Sequence, residues 1–292
     1  MPVPTSSVIV STLCGVAVLC ACATHGAQDP AFSEGDAYER FMGRWSRLLA
    51  PLLVEFAAVQ DGDVVLDVGA GTGALSAAVA RVAPSSRVTG IDPSTQYVAL
   101  AQARQGNARV HFEVGDAQRM RFEPASFDRA LSLLVMNFIP EARAALREMV
   151  RVTKRGGTVA AAVWDYGEGM EFLRVFWDEA IALRPGDASR DERHMPLCRS
   201  GELSAIWRDA GLERVSEGAL TIDTAFASFD DYWEPFLGRQ GPAGRYVASL
   251  SEADRERLRT RLRERLLSIS PDRTITMRAR AWAVRGTVGV VR

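Results

Sequence analysis

Three glycines at alternate positions behind an aspartate, Asp67-Val68-Gly69-Ala70-Gly71-Thr72-Gly73, are the residues of this 292-residue chain best spaced for chemistry. Lacking Cβ atoms, Gly69, Gly71 and Gly73 permit a sharp turn and let a ligand lie against the backbone. Helical periodicity resumes at Ala74, so the free N–H groups and positive dipole end of that helix point at whatever covers the loop. Gly69, Gly71 and Ala74 also satisfy the loose dinucleotide pattern G-x-G-x-x-G/A, which makes a nicotinamide dinucleotide one candidate ligand. Asp67 argues for another. A carboxylate at the head of the loop repels a pyrophosphate and attracts an ammonium or a sulfonium.

Two more acids follow at the ends of strand-like segments. Asp92 closes Arg87–Ile91 and precedes Pro93-Ser94. An acid at the tip of a second strand can accept both ribose hydroxyls of a nucleoside, and Asp92 or Ser94 can cap the next helix as well. Asp116 follows Val110–Val114 within Gly115-Asp116-Ala117-Gln118.

The elements that must position these residues alternate between strand and helix. Val64–Val68 reads as a strand covered on both faces, and Leu75, Ala78, Val79 and Val82 as the stripe of a helix. Arg87–Ile91, Val110–Val114, Phe127–Leu134 and Thr158–Trp164 read as strands. Glu141–Val152 reads as a helix stopped by Lys154-Arg155-Gly156-Gly157. Further on come helices over Met170–Leu183 and Leu203–Ala210, a sixth strand over Glu213–Ala225 and a lid-like helix opened by Phe229–Phe236. A glycine-rich turn, Gly238–Gly244, precedes a seventh strand over Thr274–Val284. Upstream, Asp36–Val59 is helical in pattern, with Pro51 marking a break or a new helix start.

Asp67-x-Gly69-x-Gly71-x-Gly73 resembles the first motif of class I S-adenosylmethionine-dependent methyltransferases, and the ordered set from Tyr38 through Trp164 is similar to that superfamily. The remainder resembles the ubiquinone/menaquinone-biosynthesis-type small-molecule methyltransferases. The resemblance implies an α/β fold: a seven-stranded Rossmann-like sheet, parallel with an antiparallel last strand, helices on both faces and a helical lid over the C-terminal strand ends. Residues 1–30 would be leader or linker. Residues 31–292 would be the methyltransferase domain, with aromatic cap elements around 36–50 and 165–240. It also implies S-adenosyl-L-methionine as cofactor. Asp67, Gly69, Ala70, Gly71 and Gly73 would form the glycine loop of its site, Asp92 and Pro93 would meet the ribose, and Val135 would stand on the rim. Asp116 would accept the adenine amino group beside the Ala117 N–H. Tyr38 and Arg44 would belong to an N-terminal helix covering the cofactor, with Arg44 placed to meet the methionine carboxylate.

Methyl transfer from a sulfonium needs alignment more than a catalytic side chain, and alignment supplies roughly 7–11 kcal/mol. No catalytic residue is singled out; Asp165, Tyr166, His194, Asp230 and Asp231 are available as a base for a hydroxyl or carbon acceptor. An aromatic cavity from Trp45, Trp164, Phe172, Trp177 and Trp233 would suit a small apolar or aromatic substrate. Asn137-Phe138-Ile139-Pro140 departs from the Asn/Asp-Pro-Pro-aromatic pattern of base-methylating enzymes, which argues against nucleic acid. A net charge of −1 gives no field for nucleic acid or anionic membrane. The arginines from Arg255 to Arg265 alternate with acids and read as a solvated helix face. Cys14, Cys20, Cys22 and Cys198 and the scattered His25, His111 and His194 have no metal-site spacing. Val8–Cys22 is apolar but shorter than the roughly 20 residues that span a bilayer, and no Lys or Arg precedes it. A cytoplasmic enzyme is expected, with export or lipid anchoring as the alternative if residues 1–22 act as a signal. Two other functions compete: an NAD(P)-dependent oxidoreductase, and a non-catalytic protein that binds an adenosyl cofactor.

Overall fold

In the computed structural model the described residues are 35–268 and 271–289. The apolar leader and linker expected over residues 1–30 lie outside them. Seven strands form one sheet in the order β3-β2-β1-β4-β5-β7-β6. They are β1 (Val64–Val68), β2 (Arg87–Asp92), β3 (Val110–Val114), β4 (Phe127–Leu133), β5 (Thr153–Trp164), β6 (Glu213–Phe226) and β7 (Ile275–Thr287). Strands β1 to β5 pair in parallel, while β7 runs antiparallel between β5 and β6. Strand order reverses between β1 and β4, and a doubly wound sheet offers a crevice outside the carboxyl ends of its strands at that point.

Side-chain alternation divides the core. Val65 of β1 and Ala160, Ala162 and Trp164 of β5 face one layer, whereas Leu66 and Val68 of β1 and Val159, Ala161 and Val163 of β5 face the other. The second layer is closed by α5 (Ala142–Val152), through Leu146, Met149 and Val152, and by α7 (Glu202–Asp209), through Leu203, Ile206 and Trp207. Helices α2 (Arg44–Phe56), α3 (Ala74–Val82) and α4 (Thr95–Arg104) close the first. There an aromatic mass gathers from α6 (Glu171–Leu183), α8 (Phe229–Leu237) and α9 (Gly241–Ser249), with α10 (Glu252–Leu267) outside it. Among the described residues no helix is long and apolar enough to cross a membrane.

Three local expectations are corrected. Helix α2 runs unbroken through Pro51 because the proline sits beside exposed Arg47 and Leu48, while Trp45, Leu49 and Leu53 bury the opposite face. The carbonyl that Pro51 leaves unpaired, that of Arg47, belongs to an exposed residue. The helix before Lys154-Arg155-Gly156-Gly157 ends at Val152 as expected, but this segment is not a turn ahead of the strand. It lies inside β5, with Gly156 at φ +77°, where the register against β4 slips between Phe127 and Arg129. The expected turn at Gly238–Gly244 already contains the start of α9, at Gly241 with Pro242 behind it.

Upstream of α2, α1 (Gly35–Tyr38) is joined to it by a π-helical turn, Glu39–Gly43. Such turns re-aim side chains and recur at functional sites. Here Glu39 folds over Gly43, whose missing Cβ leaves the space, and reaches Thr72 Oγ1, Arg47 and Arg104, the last at 3.2 Å. The N-terminal helix is thereby fastened to the glycine loop and to α4.

Candidate functional site

A cavity of about 520 Å³ opens at the carboxyl ends of β1 to β5. Its floor is the turn between β1 and α3. Gly69 and Ala70 both donate to the Ile91 carbonyl, at 2.8 and 2.9 Å, and Gly71 donates to Asp92 Oδ2 at 2.9 Å. Gly73 donates to the Ala70 carbonyl at 2.8 Å. Gly69, Gly71 and Gly73 all have positive φ. At Gly69 a Cβ would also stand 2.5 Å from Val135 Cγ1, so neither the conformation nor the space admits a side chain. With four loop N–H groups spent inside the protein, and with Asp67 and Asp92 on the walls, the turn is a poor cradle for a diphosphate, which needs free donors and positive potential.

The expected acids converge. Asp67, Asp92 and Asp116 all line the cavity, as do Gly69, Ala70, Gly71, Pro93, Ala117, Val135 and Tyr38. Asp67 is 1% exposed; its Oδ2 accepts from the Ser76 N–H and hydroxyl at 3.0 and 2.7 Å, and its Oδ1 has no partner among the described residues. Burial, reinforced by the charge of Asp92, pushes the Asp67 carboxyl up to about 7 against the pull of Ser76. Asp92, 8% exposed, is raised by burial too, although Ser94 N–H and Gly71 N–H donate to it. Asp116 is exposed and accepts from the Gln118 N–H at 2.8 Å. The Tyr38 hydroxyl lies 3.3 Å from Ser46 Oγ, and its ring tilts against Tyr97.

Two expected residues stand elsewhere. Arg44 does not line the cavity. Its guanidinium lies over the rings of Trp45 and Phe226 and pairs with Asp231 Oδ1 at 2.8 Å, so the charge foreseen for a ligand carboxylate is spent within the fold. Gly73 is buried beneath the turn at φ +89°, where a Cβ would approach Phe112 Cζ to 3.0 Å; it shapes the loop without reaching the cavity. The expected aromatic cavity is likewise redistributed. Only Trp164 of that group reaches it, whereas Trp45, Phe172, Trp177 and Trp233 pack edge-on or tilted against neighbouring rings in the core. Phe41, Met42, Leu133, Leu134 and Phe138 supply the apolar wall instead.

Of the candidate bases, Tyr166 alone lines the cavity. Asp165, just past the end of β5, binds Arg280 at 2.5 and 2.9 Å instead. Asp230 pairs with Arg259, Asp231 with Arg44, and His194 is exposed. Missed altogether was Glu192, which is 3% exposed, lines the cavity, and accepts from Trp177 Nε1 at 2.7 Å. Burial pushes its carboxyl up to about 7, opposed by the indole N–H and Arg174. The surrounding sequence is polar and lacks periodicity, so nothing in it signalled a buried glutamate. The arginines of α10 are largely neutralised in place: Arg257 by Asp254, Arg259 by Asp230, and Arg261 and Arg265 by Glu179.

Comparison with known proteins places this geometry. Residues 66–161 match a methyltransferase domain family. The chain is 38% identical over 111 residues to a ubiquinone/menaquinone biosynthesis C-methyltransferase of Rubrivivax gelatinosus, covering 38% of this chain and 43% of that protein. It is 31% identical over 184 residues to the 2-methyl-6-phytyl-1,4-hydroquinone methyltransferase of Synechocystis sp., covering 62% and 56%. It thus spans about half the length of each. The fold is similar to that of Haemonchus contortus phosphoethanolamine N-methyltransferase 2, solved with S-adenosyl-L-methionine, at TM-score 0.54 and 22% identity, over 88% of this chain and 57% of that one.

Proposed function

We propose that this chain, a class I S-adenosylmethionine-dependent methyltransferase, methylates a small, largely apolar molecule held against the Phe41, Leu134 and Trp164 wall. The observation that carries the reading is the meeting of Asp67, Asp92 and Asp116, from the ends of three adjacent strands, on one cavity whose loop N–H groups are already engaged. The size of about 520 Å³ lies within the range of small-molecule sites. The residues suit the cofactor: unpartnered Asp67 Oδ1 offers a buried acceptor to an ammonium, Asp92 an acceptor pair to ribose hydroxyls, and Asp116 an acceptor to an amino group.

When bound, the cofactor supplies an activated methyl group on a sulfonium. The chain's own residues bind, align and exclude water. Glu39 fastens the N-terminal helix across the loop through Thr72, so Tyr38, Phe41 and Met42 cover the site. The apolar wall keeps water from the reacting centre and strengthens every charge interaction within it. The quinol rings acted on by the hydroquinone methyltransferase relative favour a flat acceptor here. Calorimetry with S-adenosylmethionine, S-adenosylhomocysteine and NADH is the test. Heat with the first two and none with NADH is expected; binding of NADH alone sinks the reading.

A further inference from the structure

We infer that the acceptor presents a hydroxyl group and that Glu192 is the base that takes its proton, an inference resting on the methyltransferase reading above. The three acids assigned to the cofactor belong to the ends of β1, β2 and β3. Glu192 lines the same cavity as Trp164 and Tyr166, which stand at and just past the end of β5, two strands from β1, and its charge acts on Tyr166. It opens the short 3-10 turn Glu192–His194, and α6 holds that turn at two points. Trp177 Nε1 donates to Glu192 Oε2, while Arg174 grips the neighbouring Asp191 through contacts of 2.5 and 3.1 Å. Asp191 in turn accepts from the Arg193 N–H at 2.9 Å. Arg174 and Trp177 are three residues apart, hence on one face of α6. The carboxylate is therefore fixed in place. Its Oε1 takes no hydrogen bond among the described residues.

A carboxylate buried among apolar side chains is costly unless it has a use or a full set of partners. This one has a single neutral donor. The charged and titratable groups facing it are Arg174, Asp191, Arg245, Tyr166 and Cys198. Tyr166 and Cys198 are both raised by burial, so they stay protonated where Glu192 titrates. Among the described residues facing it, Glu192 is thus the group that exchanges a proton near neutrality, the range in which a general base is most effective.

An aromatic amine would attack as the neutral species, with no proton to lose first, and an aliphatic amine, held as an ammonium, would want a permanent anion. A hydroxyl matches both features: it donates to Oε1 on binding and gives up its proton in the step. The acceptor O–H bond breaks and the proton passes to Glu192. The oxygen's electron pair forms the O–CH3 bond as the methyl–sulfur bond breaks, and that pair stays on sulfur, converting sulfonium to thioether.

The test uses the full chain bound to S-adenosylhomocysteine, titrated with 4-hexylphenol, its methyl ether 4-hexylanisole, and 4-hexylaniline. At pH 8 the phenol should bind about tenfold tighter than the ether, a preference that shrinks at pH 6 as Glu192 is protonated. In Glu192→Gln, which can still accept from Trp177, the preference should lose its pH dependence while affinity for S-adenosylhomocysteine is unchanged. Methylation of 4-hexylphenol from S-adenosylmethionine should fall about a hundredfold or more, with partial recovery in Glu192→Asp. Failure of the phenol to bind, equal binding of phenol and ether, tighter binding of the aniline, or a pH-dependent preference that survives in Glu192→Gln overturns the inference. Absence of S-adenosylhomocysteine binding in the wild type removes the reading beneath it instead, and the inference with it.

Discussion

Asp67 should make the protein less stable as the pH rises, and Asp67→Asn should abolish that dependence. Unfolded, the carboxyl ionises near its ordinary value of 3.8; folded, burial holds it protonated up to about 7. Below the unfolded value both states carry the proton and the fold is undisturbed. Between the two values only the unfolded chain releases it, so stability is lost progressively and levels off above the folded value. From pH 5 to pH 8 the loss is two units at 1.36 kcal/mol each, about 3 kcal/mol. In Asp67→Asn the amide oxygen still accepts from Ser76, but nothing ionises. Urea unfolding of both proteins at pH 5, 6, 7 and 8 gives the difference directly. Asp92 and Glu192, both raised by burial, are common to the two proteins and largely cancel, apart from the relief of Asp92 from its neighbour's charge. The variant should gain about 3 kcal/mol on the wild type across this range. A gap that stays constant with pH refutes the reasoning. The same carboxyl ties cofactor uptake to proton release. A bound ammonium favours the ionised form, so calorimetry near pH 6 in buffers of different ionisation enthalpy should show protons released by the wild type and fewer by the variant.

Gly69→Ala combines a left-handed backbone with a 2.5 Å approach to Val135 and should cost about 2–5 kcal/mol in thermal or urea unfolding. Adding Val135→Ala should recover the steric part only; no recovery would show that the clash is absent. Glu39→Ala releases Thr72, Arg47 and Arg104 together, and S-adenosylhomocysteine affinity should fall about tenfold with little change in the denaturation midpoint. An unchanged Kd would detach the N-terminal helix from the site. Asp92→Asn should weaken binding of S-adenosylhomocysteine more than that of free homocysteine, since the lost acceptor is assigned to the ribose; equal weakening would move Asp92 to another role.

Strand positions were legible from two patterns, a nearly continuous apolar run in β1, which is buried on both faces, and apolar–polar alternation at the start of β3; both match their expected bounds residue for residue. Asp67, Asp92 and Asp116 were legible because each stands within two residues of the carboxyl end of its strand, where a doubly wound sheet opens its crevice. Reading failed where side-chain direction decided. Arg44 and Trp45 have the composition of a ligand-covering helix, yet Arg44 faces Asp231, a residue 187 positions away. Pro51 carried a local rule that an exposed neighbouring carbonyl overrides. Glu192 shows the opposite failure, because a polar stretch was buried by contacts with α6.

What the chain's letters determine by themselves, then, is the alternation of strand and glycine turn and the chemistry of the acids that end three strands, since these depend on neighbours within a few residues. What tertiary structure alone decided is which charges are spent on partners and which are left for a ligand. Arg44 and Asp165 are satisfied by distant residues, while Asp67 Oδ1 and Glu192 Oε1 take no hydrogen bond among the described residues. A side chain's availability is a property of its surroundings, and those come together only when segments remote in sequence pack against one another.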